Sequence, residues 1–259
     1  MRWLQVEYQD GPRGTLVARM GADDKSIVEG PKCPMPAPDA TASLNGVPLK
    51  RMRGLVVGDE MAYFRDCIIE LAFPGPMVKQ GRAREVLPRE MGAPREIEAP
   101  GTIPQAARGS GPATLRVEQG ATSRVLTILE AFAPRRLMLV SPEDGALGPG
   151  QVVTLRWQPA TDRIAHDQVA LSLQRRGRRT LSPDDVTIKS SELSFQGNDI
   201  TFTVPDTLPE TLHGECEIQF LGSAYVNPGI GPCPVDRCDV DLIFDAPSLP
   251  VRMRRGNDL

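Results

Sequence analysis

Short segments in which apolar and polar residues alternate recur along this chain, and prolines or glycines separate them. Alternation with a period of two is typical of a β-strand that has one face in a core and the other in water. The chain has 25 prolines and 24 glycines among its 259 residues, a share clearly above the usual one. Together these features favour many short strands over long helices, so we predict an all-β protein built from two tandem β-sandwich domains.

The first half of the chain combines strand candidates with one strong hairpin signal. Asn45-Gly46 stands between two apolar residues, and this dipeptide fits the type I′ turn of a two-residue hairpin. The periodicity then lapses between Pro74 and Pro112, a stretch that is long for a connection inside a compact domain. We therefore predict a β-sandwich over residues 1–134 with a long Pro/Gly/Arg-rich insertion near 74–112, either mobile or packed over the sandwich.

The clearest strand of the second half runs from Val153 to Trp157, after a proline- and glycine-rich opening that starts at Ser141. Pro159 follows the tryptophan two residues later. This passage resembles the A-to-B strand region of bacterial immunoglobulin-like and fibronectin type III modules, and the similar strand spacing extends over residues 137–254. The resemblance implies an immunoglobulin-like sandwich over residues 135–259, with the ring of Trp157 packed in its core.

Five cysteines divide between the two halves of the chain, as Cys33 and Cys67 against Cys216, Cys233 and Cys238. In an oxidising compartment the first two would pair with each other, and two of the last three would also pair. Closeness in sequence slightly favours Cys233–Cys238. We expect an extracellular, periplasmic or cell-surface protein, although the first residues read as a strand and show no signal peptide in this numbering. No run of about 18 apolar residues predicts a transmembrane segment.

Two metal sites are alternatives to this interpretation. A zinc site would use one histidine and three thiols, and a calcium site would use three carboxylates close in sequence. The zinc set lacks a Cys-x2-Cys pair, and a solvated loop explains the carboxylates, so we predict no metal and no cofactor. The residues concerned are His213, Cys216, Cys233 and Cys238 for zinc, and Asp236, Asp239 and Asp241 for calcium.

Arg175, Arg176, Arg178 and Arg179 form a dense basic patch, which is a candidate binding surface for an anionic partner. No aromatic residue is interleaved with it, and the net charge of the chain is −3. These two facts argue against nucleic-acid binding, because no stacking surface and no global positive field are present. An exposed hairpin tip also explains the patch, and the same holds for the arginines among residues 252–255.

Catalytic signals are missing from the sequence. Only two histidines occur, His213 and His166, which lies in the polar segment 162–167 between strands. No nucleophile elbow, zinc-binding helix or glycine-rich phosphate loop is present. We therefore predict no catalytic residue and no enzymatic activity.

The most consistent function is that of a non-enzymatic extracellular or cell-envelope module for adhesion, spacing or docking, with a protein or polysaccharide partner. Two alternatives remain open: accessory carbohydrate-binding domains of a secreted hydrolase, and a structural subunit of a phage-tail or injection-type assembly.

Overall fold

The structure, a computed structural model, describes residues 1–9, 14–21, 40–52, 68–79, 96–109, 111–177, 182–222 and 226–254. This described part contains 22 β-strands and no α-helix. Its helical segments are single 3-10 turns at Gln105–Ala107, Ser190–Glu192 and Glu210–Leu212. The predicted all-β fold class is therefore confirmed. The chain divides into a first unit, Met1–Phe132 with Ile230–Asp241, and a second unit, Ala133–Gly229 with Leu242–Leu259.

The described residues of the first unit form three sheets. Its strands are β1 Trp3–Gln9, β2 Leu16–Gly21, β3 Thr41–Leu44, β4 Val47–Pro48, β5 Lys50–Arg51, β6 Ile68–Ala72, β7 Pro74–Lys79, β8 Glu96–Pro100, β9 Ala113–Gln119, β10 Thr122–Ile128 and, from late in the chain, β21 Arg237–Ile243. The five-stranded sheet has the order β21-β1-β2-β6-β5, and the four-stranded sheet has the order β10-β9-β3-β4. A third sheet pairs β7 with β8.

Strand β1 shows how alternation builds the first core. Leu4, Val6 and Tyr8 are buried, whereas the residues between them are only partly covered. The Tyr8 hydroxyl lies within the core and donates a hydrogen bond to the carbonyl oxygen of Ala131 at 3.0 Å. A buried tyrosine therefore keeps its polar atom satisfied while its ring contributes apolar area to the core.

The hairpin predicted at Asn45-Gly46 is confirmed. Both residues have positive φ, 49° and 81°, and Leu44 pairs with Val47 across the turn. The Asn45 side chain also accepts a hydrogen bond from the Thr114 backbone N–H at 2.8 Å and donates one to the Ala107 carbonyl at 2.8 Å. Asparagine therefore serves the turn twice, through its tolerance of positive φ and through its amide.

Part of the segment expected as an irregular insertion forms regular structure. Strands β7 and β8 pair antiparallel within it, and Gln105–Ala107 forms a 3-10 turn. The sequence did not predict this strand pair because β7 contains two prolines. Proline lacks the N–H that a strand donates to its neighbour, so a segment rich in proline is usually predicted as a loop. The backbones come very close here: a side chain on Gly75 would meet the Ala99 carbonyl oxygen, and one on Gly101 would meet the Pro74 carbonyl oxygen. Residues 80–95 of the expected insertion lie outside the described residues.

The second unit is a sandwich of two main sheets. Its strands are β11 Arg136–Ser141, β12 Ala146–Leu147, β13 Val152–Gln158, β14 Arg163–Ile164, β15 Ala170–Arg175, β16 Val186–Ile188, β17 Ser194–Gln196, β18 Asp199–Thr203, β19 Gly214–Leu221, β20 Val226–Asn227 and β22 Ser248–Met253. One sheet has the order β11-β13-β18-β17 and the other β12-β22-β19-β15-β16, while β14 and β20 pair separately. Strand β12 runs parallel to β22, and the other strand pairs described in this unit are antiparallel.

Trp157 lies in the core between these two sheets, which confirms the prediction that its ring is buried. Its exposed fraction is 0%. The ring centroid lies 4.6 Å from that of Phe220 on β19 and 5.5 Å from that of Phe244. Because Trp157 belongs to β13 and Phe220 to the opposite sheet, the aromatic cluster joins the two layers.

Strand β15 departs from the simple alternation that its sequence suggests. Leu171 and Leu173 are buried on one face, but Ser172 and Gln174 on the other face are buried as well. The Gln174 amide donates hydrogen bonds to Glu217 at 2.8 Å and to Gln219 at 3.0 Å, both on the neighbouring strand. Polar side chains of the neighbouring strand thus cover the outer face of β15. Alternation of apolar and polar residues in the sequence does not reveal burial of this kind, because the buried residues are themselves polar.

The domain prediction needs one correction. Residues 230–241, expected in the second sandwich, belong to the first unit, where β21 is the outermost strand of the five-stranded sheet. The Arg237 backbone N–H donates to the Arg2 carbonyl at 3.1 Å, and the Gln5 amide donates to Asp241 at 2.9 Å. The chain then returns to the second unit, whose last strand is β22. Period-two alternation in β21 indicates a strand but cannot show which sheet receives it.

Candidate functional site

The second unit contains a cleft of about 590 Å³ beside the end of β22. Sheet register positions its walls. Strand β19 begins at Gly214, opposite Met253, so His213 immediately precedes the strand beside that end. Strand β12 pairs with the same end of β22, since the backbone N–H of Arg254 donates to the Leu147 carbonyl oxygen at 2.7 Å. The lining residues are Asp144, Ala146, His213, Gly214, Arg252, Met253 and Arg254.

Charged and polar groups define the chemistry of this cleft. Arg254 and Asp144 form an ion pair with 2.6 Å between Nη2 and Oδ2. Arg252 is exposed, and the described residues give its side chain no ion pair. Nδ1 of His213 is buried and has no hydrogen-bond partner in the described structure. The cleft therefore presents the guanidinium donors of Arg252, which no ion pair in the described residues uses.

The sequence singled out both histidines, and the structure separates them. His213 lines the cleft, whereas His166 does not. His166 is exposed, and its ring stacks on that of Phe195 with centroids 4.2 Å apart and planes 4° from parallel. Ring stacking, rather than a carboxylate or hydroxyl, is the contact that positions His166.

Only half of the predicted arginine patch lies within the described residues. Arg175 and Arg176 are exposed at the end of β15, and Arg178 and Arg179 lie outside the described residues. Arg176 forms an exposed ion pair with Glu215, with Nη1 and Oε2 3.5 Å apart. Glu215 thus partly neutralises the described half of the patch. Of the tail arginines, Arg252 and Arg254 line the cleft and Arg255 lies outside the described residues.

The cysteines of the second half take two different forms. Cys233 and Cys238 form a disulfide with a Cα–Cα distance of 5.7 Å, the pairing that the sequence favoured. Cys216 is a buried free thiol that donates to the Leu212 carbonyl at 2.9 Å. Burial raises the pKa of the Cys216 thiol, which keeps it protonated. The pairing predicted for Cys33 and Cys67 lies outside the described residues.

The disulfide bears on the zinc alternative, because Cys233 and Cys238 are bonded to each other and offer no free thiol to a metal ion. Within the described ranges, no group of three or more His, Cys, Asp or Glu residues could hold a metal ion. Two carboxylates of the calcium alternative have protein partners: Asp239 pairs with Arg237 at 2.7 Å, and Asp241 accepts a hydrogen bond from Gln5 at 2.9 Å.

Replacing Cys233 and Cys238 together by serine is expected to lower the free energy of unfolding of the first unit by about 2 kcal/mol. The bond closes a ring of only six residues, and in the chain-entropy model so short a ring restricts the unfolded chain modestly. Urea unfolding of the variant and of the oxidised wild type measures the difference. Equal midpoints and slopes for the two proteins would contradict the expectation.

A buried ion pair near Trp157 was not anticipated from the sequence. Nε of Arg135 lies 3.2 Å from Oδ2 of Asp162, and the two side chains are 1% and 0% exposed. Nε1 of Trp157 donates to the same carboxylate at 3.0 Å. The sequence placed Asp162 in a polar segment between strands. Its position five residues after the core tryptophan was the one local feature that could have suggested a buried contact with that ring. We interpret this cluster as structural, because its side chains are buried beside the core tryptophan.

No protein-family model matches the sequence, and no curated protein matches it either. Two solved titin structures are similar to the chain at 10% identity. The first is an anomalous substructure of titin A168169, with a TM-score of 0.21. The alignment covers 93% of this chain and 96% of the titin chain. The second contains the tandem immunoglobulin domains A164–A165 of titin, with a TM-score of 0.20. The alignment covers 94% of this chain and 95% of the titin chain. With TM-scores this low, the strand order alone defines the fold. In the part of the chain that the structure describes, no helix is long and apolar enough to span a membrane.

Proposed function

We propose that this chain is a non-catalytic binding and docking module of the cell envelope or the extracellular space. The observation that carries the proposal is the Cys233–Cys238 disulfide, at the start of the strand that returns to the first unit. Structural disulfides persist where thiols are not kept reduced, as in secreted and periplasmic proteins. The partner is a protein or a polysaccharide.

Three features of the described residues support binding over catalysis. The Cys216 thiol is buried and kept protonated, so it does not act as a nucleophile. The His166 ring is stacked on Phe195 rather than aligned with a nucleophile. Sandwich domains also present their loops and strand ends to partners on a rigid scaffold. A pair of such units suits recognition better than bond cleavage.

Differential alkylation with peptide mass spectrometry tests the oxidising compartment. In protein isolated without reductant from its native cells, Cys233 and Cys238 are expected to react only after reduction. Cys216 is expected to stay unlabelled until the chain is unfolded in urea, because burial both shields the thiol and raises its pKa. Cys233 and Cys238 found reduced in the isolated protein would overturn the envelope assignment and favour the intracellular assembly subunit.

A broad screen for glycosidase and esterase activity tests the non-catalytic part of the proposal. We expect no turnover above the background of a heat-denatured sample. Turnover that the folded protein supports, and that substitution of one carboxylate or histidine abolishes, would overturn it. Such a result would favour a hydrolase assignment.

A further inference from the structure

We propose that the cleft at the end of β22 binds an oxyanion, that is, a carboxylate, sulfate or phosphate group of a small ligand. This inference deepens the binding role proposed above and rests on it. The cleft lies entirely within the second unit, since all of its lining residues belong to that unit.

The arginines supply the charge. Arg252 lies on β22, Arg254 directly follows the last residue of that strand, and both side chains line the cleft. Arg254 uses Nη2 on Asp144, and a guanidinium carries five N–H donors in a fixed fork. Arg252 has no ion pair in the described structure. The guanidinium of Arg252, and the N–H groups of Arg254 that do not contact Asp144, are therefore available to a ligand oxygen.

Asp144 does not make the cleft a cation site, because both of its carboxylate oxygens are occupied. Oδ1 accepts the Ala146 backbone N–H at 3.1 Å, and Oδ2 accepts from Arg254 at 2.6 Å. The lining thus carries two guanidinium charges against one carboxylate that is already paired. A net positive lining with free guanidinium donors selects a negatively charged ligand.

His213 contributes part of the cleft wall. Its Nδ1 is buried without a hydrogen-bond partner in the described residues, which is a costly state for a polar atom. Because Nδ1 is closed to solvent, the ring would have to turn toward the cleft before this nitrogen could donate a hydrogen bond to a ligand oxygen. Gly214 next to it keeps the wall open, since a side chain built there would meet no atom within 4 Å.

The volume of the cleft indicates that the oxyanion belongs to a larger molecule. About 590 Å³ lies within the range of pockets that hold small organic ligands and exceeds what a free sulfate or phosphate ion fills. Ala146 supplies apolar surface for the rest of such a ligand. The carboxylate of an acidic sugar, a sulfate ester and a phosphate ester share the required chemistry.

Titration of the full-length protein at constant ionic strength tests the proposal. The probes are inorganic sulfate, inorganic phosphate, glucuronate, glucose 6-sulfate and glucose 6-phosphate, with neutral glucose as the matched control. The readout is the nitrogen NMR spectrum of the two histidine rings. His166 is the internal reference, because it does not line the cleft. We expect the charged probes to shift the signals of His213 and to leave those of His166 unchanged. We expect glucose to shift neither, and the sugar that binds most tightly identifies the group.

Two variants make the test specific. Arg252→Gln is expected to weaken binding about tenfold or more, because it removes charge-assisted hydrogen bonds. Arg176→Gln is the matched control: it removes an exposed arginine of the same unit that lies outside the cleft. Binding that is lost in Arg176→Gln and kept in Arg252→Gln would overturn the proposal in favour of the arginine patch. Unchanged His213 signals with every probe would also overturn it, whatever the redox state of the cysteines.

Discussion

Replacing Asp162 by alanine is expected to lower the free energy of unfolding of the second unit by about 3–5 kcal/mol. The substitution leaves the guanidinium of Arg135 without its carboxylate in a site where its side chain is 1% exposed. It also removes the acceptor of the Trp157 indole N–H. Arg135 would keep its hydrogen bond to the Ala133 carbonyl oxygen. A buried charge that loses its counter-ion still keeps most of the cost of leaving water, so this loss exceeds the net value of the pair.

Urea unfolding followed by Trp157 fluorescence measures the effect, in a Trp3→Phe background so that Trp157 is the only tryptophan. Asp199→Ala is the matched control, because Asp199 makes a similar bidentate contact with Arg156 at the surface. Water screens that exposed pair, so its loss should leave the unfolding midpoint nearly unchanged. Similar losses in the two variants would show that burial does not control the strength of the Arg135–Asp162 pair.

A fragment that ends at residue 134 is expected to lose cooperative unfolding, although the sequence suggests a complete domain there. The fragment lacks β21, which covers the edge of β1 in the five-stranded sheet. It also loses the apolar area of Val240, which is buried in the whole chain. The edge of β1 would then present unpaired N–H and C=O groups, a known route to aggregation.

A chimera tests the cause of this loss directly. It joins residues 1–132 to residues 230–241 through a short glycine-serine linker. The linker can be short because Ile230 forms a β-bridge with Ile128, and the Gly231 N–H donates to the Thr127 carbonyl at 2.8 Å. We expect this chimera to be monomeric in size-exclusion chromatography and to give a single urea transition by circular dichroism. If the fragment 1–134 unfolds just as cooperatively, β21 is not required by the first unit.

Local patterns were enough for much of the fold. Alternation predicted strand β13 and the buried Trp157, and the Asn45-Gly46 dipeptide predicted a hairpin whose two residues have positive φ. Closeness in sequence favoured the pairing of Cys233 with Cys238, which the structure contains. Each of these features depends on residues within a few positions of one another, so the sequence carries the relevant chemistry in readable form.

The candidate site could be predicted only in part. His213 and the arginines of the tail drew attention as residue types, but nothing in the sequence placed them together. Asp144 lies far from Arg254 along the chain, with a sequence separation of 110. The parallel pairing of β12 with β22 brings them into contact. Residues so far apart become neighbours only through sheet register, which one sequence does not display.

Alternation and turn residues were enough to predict an all-β chain, the strand that ends at Trp157 and the burial of that ring in the second core. The position of β21 in the first unit, the pairing of β7 with β8, the burial of Asp162 and the cleft all depend on tertiary contacts. The physical reason is the same for all four. A period of two records that one face of a strand is covered, but the partner that covers it is chosen by hydrogen bonds and packing between segments distant in the chain.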